Sequence, residues 1–325
     1  MVPDVTPPDS AAHAAEDVCL PFIINDGAFR GRLVRLTGAV SEILDAHGDP
    51  PEVSALLAES MVAAVALASG LKYDGVFTLQ IQGTGPVHTL VTDITSTGEL
   101  RACAKFDPER LAADLSKPRP PGASPQLTGP SGHLAFTVDQ GPDTERYQGI
   151  VALSGENLAE SIHHYFRQSE QIESALKIAI GAPREGGPWT AAAVLIQRMP
   201  EDGGRPIDRE EAEDAWRTAV ILLGSLKDSE LLDRSLSAPQ LLMRLYATVG
   251  LRLLERRPIV ARCRCSRARS ERILASFPIE EVRTYAQDGI VHMTCEFCRT
   301  DYAFSESELA DNARRHPPQT PEVSQ

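Results

Sequence analysis

Cys263, Cys265, Cys295 and Cys298 are the residues of this chain whose type and spacing most plainly allow chemistry. They read C-x-C, then 29 residues, then C-x-x-C. Two close pairs of thiols can converge on one ion, and four thiolates close the tetrahedral shell that zinc prefers. A closed shell leaves no position for substrate or water, so such an ion holds structure together rather than catalysing. The spacing differs from the common iron–sulfur patterns. It also differs from an ordinary zinc ribbon, which uses two C-x-x-C knuckles. Cys263 and Cys265 point to the same side of an extended segment. Without a metal they can bridge each other across a very short loop, which should strain the bond and make it labile. Cys295 and Cys298 can form a local bond in the same way. A purely structural zinc site and a redox-labile one are both open on this spacing.

Arg262, Arg264, Arg267, Arg269 and Arg272 crowd the first pair. Their charge should favour the thiolate form, which both binds metal and reacts with oxidants. The competing functional reading is a nucleic-acid patch, which would make the chain a zinc-ribbon regulator. No aromatic stacking surface accompanies the arginines. Cys19 and Cys103 have no partner nearby in sequence and read as buried, inert thiols. His163 and His164 lie on a helical stretch beside Glu160, but adjacent helical residues point about 100° apart, which suits packing better than ligation. Ser154-Gly155-Glu156 follows a strand and opens a helix without the G-x-S-x-G of a nucleophile elbow. No P-loop, G-x-G-x-x-G or H-E-x-x-H is present. No catalytic constellation emerges, and the expectation is a protein that is not an enzyme.

The elements around these residues suggest about two domains for 325 residues, with a hydrophobic fraction of 42%. The 45 acidic residues against 32 basic ones give a net charge of −13, which argues against nucleic-acid binding over the whole surface. Six cysteines in so long a chain do not make a disulfide scaffold, and residues 1–17 do not resemble a signal peptide. Met61–Leu71 is apolar but internal, and reads as too short to span a bilayer. The expectation is a cytoplasmic protein with reduced thiols and no membrane partner. Residues 1–17 should form a disordered arm. Residues 18–200 read as an α/β (α+β) domain in which β-meander sheets pack against helices. Strands are expected at Leu20–Asn25 and Ala28–Leu36 around an Asp26-Gly27 turn, near Phe77–Ile81, at Val87–Ile94, Glu99–Phe106, His133–Asp139, Tyr147–Leu153, Ser174–Ile180 and Thr190–Arg198. Helices are expected from Pro51 to Leu71 and over Glu156–Phe166. A loop rich in Pro, Gly and Ser occupies 117–132.

Residues 201–259 read as a helical linker. Asp208 and Glu211 predict a capping box. A second helix is expected from Ala238 to Leu254, with Leu241, Leu242, Leu245, Tyr246, Val249 and Leu253 facing inward. Two helices alone bury little, so this segment must lean on a neighbour. Residues 260–310 form the cysteine module. It holds so few large apolar residues that metal binding would supply much of its folding free energy, on the order of 10 kcal/mol for structural zinc. Residues 311–325 should be a disordered tail.

These residues resemble the 33 kDa chaperonin family, redox-regulated heat-shock holdases. The context Cys263-Arg264-Cys265-Ser266 and Thr294-Cys295-Glu296-Phe297-Cys298, with Tyr302 and Phe304, is similar to the family's zinc switch. Far upstream, Tyr147-Gln148-Gly149, Gly155-Glu156-Asn157-Leu158-Ala159-Glu160 and Tyr165-Phe166-Arg167-Gln168-Ser169-Glu170-Gln171 resemble its second signature. The likeness spans about residues 20 to 310. The longer arm, the proline-rich loop and the extra thiols Cys19 and Cys103 depart from the family pattern. The resemblance implies one zinc ion per reduced chain, held by Cys263, Cys265, Cys295 and Cys298. It implies that oxidants convert the cluster to Cys263–Cys265 and Cys295–Cys298 disulfides and expel the metal. The linker then unfolds, and the chain dimerises and holds unfolding client proteins without ATP.

Overall fold

The computed structural model describes residues 17–118, 126–141, 144, 146–153, 158–166, 172–184, 186–199 and 209–315. Several expectations fall outside these residues: the arm before Asp17, the Ser154-Gly155-Glu156 step, Asn157, residues 167–171 of the second signature, the 200–206 loop, the Asp208 cap and the tail from residue 316. The described chain divides into two compact units, one ending at Ala261 and the other starting at Arg262.

The first unit begins with β1 (Val18–Ile24) and β2 (Phe29–Leu36), followed by α1 (Gly38–His47) and α2 (Pro51–Ala68). Next come β3 (Val76–Gly83), β4 (Val87–Thr95), β5 (Glu99–Phe106), α3 (Pro108–Leu115), β6 (Gly132–Asp139), β7 (Tyr147–Ala152) and α4 (Leu158–Tyr165). β8 (Ser174–Gly181) and β9 (Thr190–Arg198) lead into α5 (Arg209–Ser225), α6 (Asp228–Leu231) and α7 (Ala238–Tyr246). Three two-residue strands close the unit: β10 (Arg252–Leu253), β11 (Arg257–Pro258) and β12 (Val260–Ala261). One sheet runs β10-β1-β2-β9-β8, with β11 also pairing β1, and the other runs β12-β5-β4-β3-β6-β7. The expected meander of β3, β4 and β5 is present, and β6 returns to pair β3. At the β1–β2 turn Asn25, Asp26 and Gly27 all take positive φ.

α2 packs between the sheets, touching β3, β4 and β5 on one side and β2, β8 and β9 on the other. It ends at Ala68 rather than the expected Leu71, with Ser69 at its C-cap. At 18 residues it is long and apolar enough to cross a membrane by length and composition, contrary to the shorter segment read from the sequence. Val53, Leu57, Met61, Val62 and Val65 are buried in the core, so its all-round apolarity is that of a helix enclosed by sheets. α1 and α3 were not among the expected elements. Thr37 at the α1 N-cap makes no side-chain bond. The Asp17 carboxylate accepts instead from the Thr37 and Ala39 amides at 2.6 and 2.9 Å. A cap supplied from twenty positions upstream leaves no local sequence signal.

The first sheet has two apolar faces, and the strand period of two separates them. Cys19, Val34, Leu36, Ala191, Ala193 and Leu195 join the core around α2. Leu20, Phe22, Ile24, Phe29, Leu33, Ala192, Val194 and Ile196 form a second core with Ala219 and Leu223 of α5 and Leu241, Leu242, Leu245 and Tyr246 of α7. This is the neighbour that the helical segment needs. Gly31 makes room for the Phe22 ring, since a Cβ there would lie 2.0 Å from it. Polar bonds also hold the helices to the sheet. Arg35 Nε donates to the Leu231 carbonyl at 3.0 Å and Nη2 to that of Glu230 at 3.2 Å, while Nη1 reaches the Leu236 carbonyl. Lys177 on β8 pairs with Asp228 on α6 at 3.0 Å, and Arg198 on β9 pairs with Glu213 on α5 at 2.8 Å. α7 stops at Tyr246, not Leu254, because the chain turns through Ala247–Val249 and a left-handed Gly250. Leu253, expected on the helix face, instead pairs with Phe22 on the edge of β1.

The second unit contains α8 (Arg267–Ala275), α9 (Ile279–Arg283), β13 (Ile290–Thr294), β14 (Asp301–Ser305) and α10 (Glu306–Arg315). β13 and β14 form a two-stranded antiparallel sheet. Its buried apolar core is Val282, Val291, Phe304 and Leu309. α10 carries ordered chain to Arg315, past the boundary expected at residue 310, and buries Asn312, whose Nδ2 donates to the Glu271 carbonyl at 2.6 Å.

Candidate metal centre

Two short segments of the second unit bring the thiols together. Cys263 and Cys265 lie in extended chain just before α8, and Ser266 caps that helix by accepting from the Arg269 amide at 3.2 Å. Cys295 follows β13, and Cys298 sits in the turn to β14. That turn is closed by Cys295 N donating to Thr300 O at 2.9 Å and Arg299 N donating to Cys295 O at 2.8 Å, with Arg299 at φ 58°. All four Sγ atoms lie within 4.8 Å of one another, and all four cysteines are half-buried. The shortest approaches run between the segments: Cys263 to Cys295 at 3.7 Å and Cys265 to Cys298 at 3.4 Å. A regular tetrahedron of sulfurs about zinc, with bonds of about 2.3 Å, has edges of about 3.8 Å. The donor set and its spacing therefore fit one tetrahedral ion that ties the residue 263–265 segment to the β13–β14 turn.

The surroundings push the thiols in different directions. Burial pushes the Cys265 thiol up to about 12, with the other three thiols adding to the rise and a hydrogen bond from Tyr302 opposing it. Burial also leads the rise at Cys295. At Cys298 burial acts upward, but Thr300 and the neighbouring thiols prevail and bring it down to about 7. Arg267, one of the nearby arginines, donates to the Ala303 carbonyl at 2.8 Å, pairs with Glu308 at 2.6 Å and lies over the Phe304 ring at 4.4 Å, so its side chain braces the small core. Four thiolates so close repel one another, and a bound cation is what would hold them all ionised.

Two side chains at the centre were missed as contacts. Tyr302 Oη donates to Cys265 Sγ at 3.2 Å, and Cys298 Sγ donates to Thr300 Oγ1 at 3.2 Å. The only signal for Tyr302 was its place in the motif context, since its reach depends on the β13–β14 register that sets it opposite Met293. Cys19 and Cys103 are buried in the first unit, as expected of packing thiols. His163 and His164 are not brought to the centre. They lie on α4, where His163 Nδ1 meets the Ser174 carbonyl at 2.9 Å.

Comparison with known proteins agrees with this picture. The family model described as Hsp33 protein matches residues 17–305. A 33 kDa chaperonin of Caulobacter vibrioides (strain NA1000 / CB15N) is 40% identical over 290 residues, covering 88% of this chain and 94% of the relative. A 33 kDa chaperonin of Pseudomonas syringae pv. tomato is 36% identical over 293 residues, covering 89% and 91%. The solved structure of the 33 kDa chaperonin (heat shock protein 33 homolog) of Thermotoga maritima superposes with a TM-score of 0.76 over 92% of this chain and 98% of that one, at 22% identity.

Proposed function

We propose that this chain, which belongs to the Hsp33 family, is a redox-regulated, ATP-independent holdase chaperone of the cytoplasm. It binds unfolding proteins and prevents their aggregation during oxidative and heat stress. The observation that carries the reading is the convergence of Cys263, Cys265, Cys295 and Cys298 within 4.8 Å in a unit whose described apolar core is a cluster of Val282, Val291, Phe304 and Leu309. In the reduced state these residues would hold one zinc ion, which supplies a cross-link between the two halves of a unit too small to be stable on its own core.

Oxidation removes the ligands. Each disulfide, Cys263–Cys265 and Cys295–Cys298, forms from two thiolates with loss of two electrons, and one peroxide takes up those electrons and two protons from solvent to give two waters. The second unit then loses its cross-link. The helical segment α5–α7 leaves the first sheet and uncovers the face built by Leu20, Phe22, Phe29, Leu33, Val194 and Ile196. A contiguous apolar face of that kind suits unfolded chains and a second copy of the protein, so the oxidised form dimerises. Holding a client by mass action needs no catalytic residue, in keeping with a protein that is not an enzyme.

The test follows zinc with a metallochromic dye beside an aggregation assay, before and after peroxide at raised temperature. The expected result is release of one zinc per chain together with suppression of client aggregation. Equal suppression by the reduced, zinc-loaded form would defeat the proposal.

A further inference from the structure

A cleft of about 840 Å³ opens in the first unit, lined by residues on the α2 side of β1 and β2. Its walls are the C-terminal end of α2, the inner face of β1 and β2, the β4–β5 turn and segment 254–259. Arg30, Arg32, Lys72, Arg256 and Arg257 line it, against one acidic residue, Glu255. The chain as a whole carries a net charge of −13, so composition does not account for this concentration of cations.

Sheet register explains how three of the arginines meet. Arg257 on β11 lies opposite Cys19, while Arg32 and Arg30 on β2 lie opposite Pro21 and Ile23. Residues directly opposed in a ladder share a face, and Cys19 faces α2. The three arginines therefore point to the same side across three adjacent strands.

Arg32 is the deepest, at 7% exposure. Its Nη1 donates to the neutral Gln197 Oε1 at 2.7 Å. Burial, followed by repulsion from Arg30 and Arg257, lowers its guanidinium to about 10, and no carboxylate is among the groups acting on it. Among the described residues no ion pair joins Arg30, Arg32, Lys72 or Arg257 to a carboxylate. The C-terminal end of α2 offers a partial negative charge of about 0.5, which offsets only part of this concentration. A buried cation such as Arg32 is costly without an anion, and a cleft lined mostly by one sign of charge focuses its field on an incoming counter-ion. Guanidinium groups recognise phosphate oxygens through paired donors. The volume exceeds what one phosphate fills and lies in the range of small-molecule sites.

We propose that this cleft binds a small oligophosphate, with Arg32 at its floor and Arg30 and Arg257 on its walls. The shared chemistry is a chain of phosphates, whether free or carried by a nucleotide. Isothermal titration of the reduced, zinc-loaded full chain with tripolyphosphate tests it. Saturable binding is expected, weakening about tenfold or more between roughly 50 and 300 mM salt. The double variant Arg30→Gln/Arg257→Gln alters two exposed side chains, so it should keep the parent circular dichroism while losing about tenfold or more in affinity, the loss expected from about 1.4 kcal/mol of charge-assisted bonding. Competition by ATP assigns the natural source to a nucleotide, whereas binding of tripolyphosphate alone assigns it to free oligophosphate; either supports the site. No saturable binding with millimolar tripolyphosphate, or equal binding by a folded double variant, would overturn it.

Discussion

Tyr246 offers the sharpest test of the idea that α5–α7 cover a functional surface. Its side chain is 0% exposed, its ring stacks on Phe22 with centroids 5.6 Å apart at 29°, and its hydroxyl donates to the Ala219 carbonyl at 3.4 Å. It thus joins α7 to both β1 and α5. Removing a buried aromatic ring costs about 3–5 kcal/mol through lost transfer energy and the cavity left behind. The hydroxyl contributes less, about 1 kcal/mol or below, because the bond is long. The ring belongs to the core beneath α5–α7 and not to the core around α2, so the loss falls on helix docking. At about 1.4 kcal/mol per tenfold, Tyr246→Ala should raise the undocked population by roughly two to nearly four orders of magnitude, while Tyr246→Phe changes it by fivefold or so. Hydrogen exchange over residues 209–246 should report the opening, light scattering of a heat-unfolding client the activity, and a metallochromic dye the zinc. The alanine variant should suppress aggregation when reduced and zinc-loaded, and the phenylalanine variant should behave as the parent. If Tyr246→Ala opens the helices without suppressing aggregation, this face is not the client surface. If exchange is unchanged, the packing account is wrong.

Arg35→Met should leave the carbonyls of Glu230, Leu231 and Leu236 without their donor and destabilise docking by about 2 kcal/mol or more; Arg35→Lys should rescue it only in part because an ammonium lacks the fork, with exchange rates across α6 and α7 as the readout. Chelation of the reduced chain should unfold residues 262–315 while the core around α2 stays protected, and a protected second unit after complete zinc removal would show that the metal is not needed for its stability. Glu59 on α2 has its carboxyl raised to about 7 by burial, against a partly opposing bond from the Leu158 amide. The folded state therefore holds this proton more tightly than the unfolded chain, whose glutamate titrates near 4.3, so stability falls as pH rises from about 4.3 to 7. Glu59→Gln should remove that slope and gain on the order of 2 kcal/mol at pH 8 with little change at pH 4, measured by urea unfolding; a steeper slope in the variant would reverse the sign.

What the sequence makes legible is set by local physics. The four thiols stand out because ligand spacing is itself local, and the strands around Phe77, Leu79 and Ile81 because burial alternates along them. The capping box of Ser237 and Gln240 marks the start of α7 in the same way, with Gln240 N and Ser237 N exchanging bonds with the partner side chains. α1 is illegible because Asp17 caps it from another element. The end of α7 is misread because the apolar spacing continues through Val249 and Leu253 although Gly250 turns the chain into an edge strand. The partners of Arg267 are hidden for a third reason. Proximity in sequence places charges near Cys263, but the folded Arg267 is directed to Glu308 and Phe304. The bonds from Arg35 to α6 and from Tyr302 to Cys265 cross between elements, so no window of sequence contains them.

The proposed switch requires the segment between α7 and the first cysteine pair to pass a change in the small unit on to a large apolar face. β10, β11 and β12 are each two residues long. Beyond these short ladders, backbone bonds from Leu254 to Pro21, Ile259 to Asp17 and Val260 to Gly98 fasten the segment to the first unit. Apart from Ile259, which is buried in the core around α2, the segment rests on ladders of two residues that resist fraying weakly, in contrast to the full-length pairing of β2 with β9. The chain leaves β12 at Ala261 and reaches Cys263 after one residue. Order in the cysteine unit would hold the C-terminal end of this segment in place, and its loss would leave the segment to fray from that end toward α7. α7 would then depend on Tyr246 and its leucines, while α6 depends on the buried Leu231 and on polar bonds from Arg35 and Lys177. The first sheet's other face is covered mainly by α2 and the second sheet from within the same unit, with Ile259 the one fully buried side chain that the segment adds there. On the proposed switch one sheet would carry a permanent core on one face and a removable cover on the other, and the period-two alternation of β1, β2 and β9 is what makes both faces apolar at once.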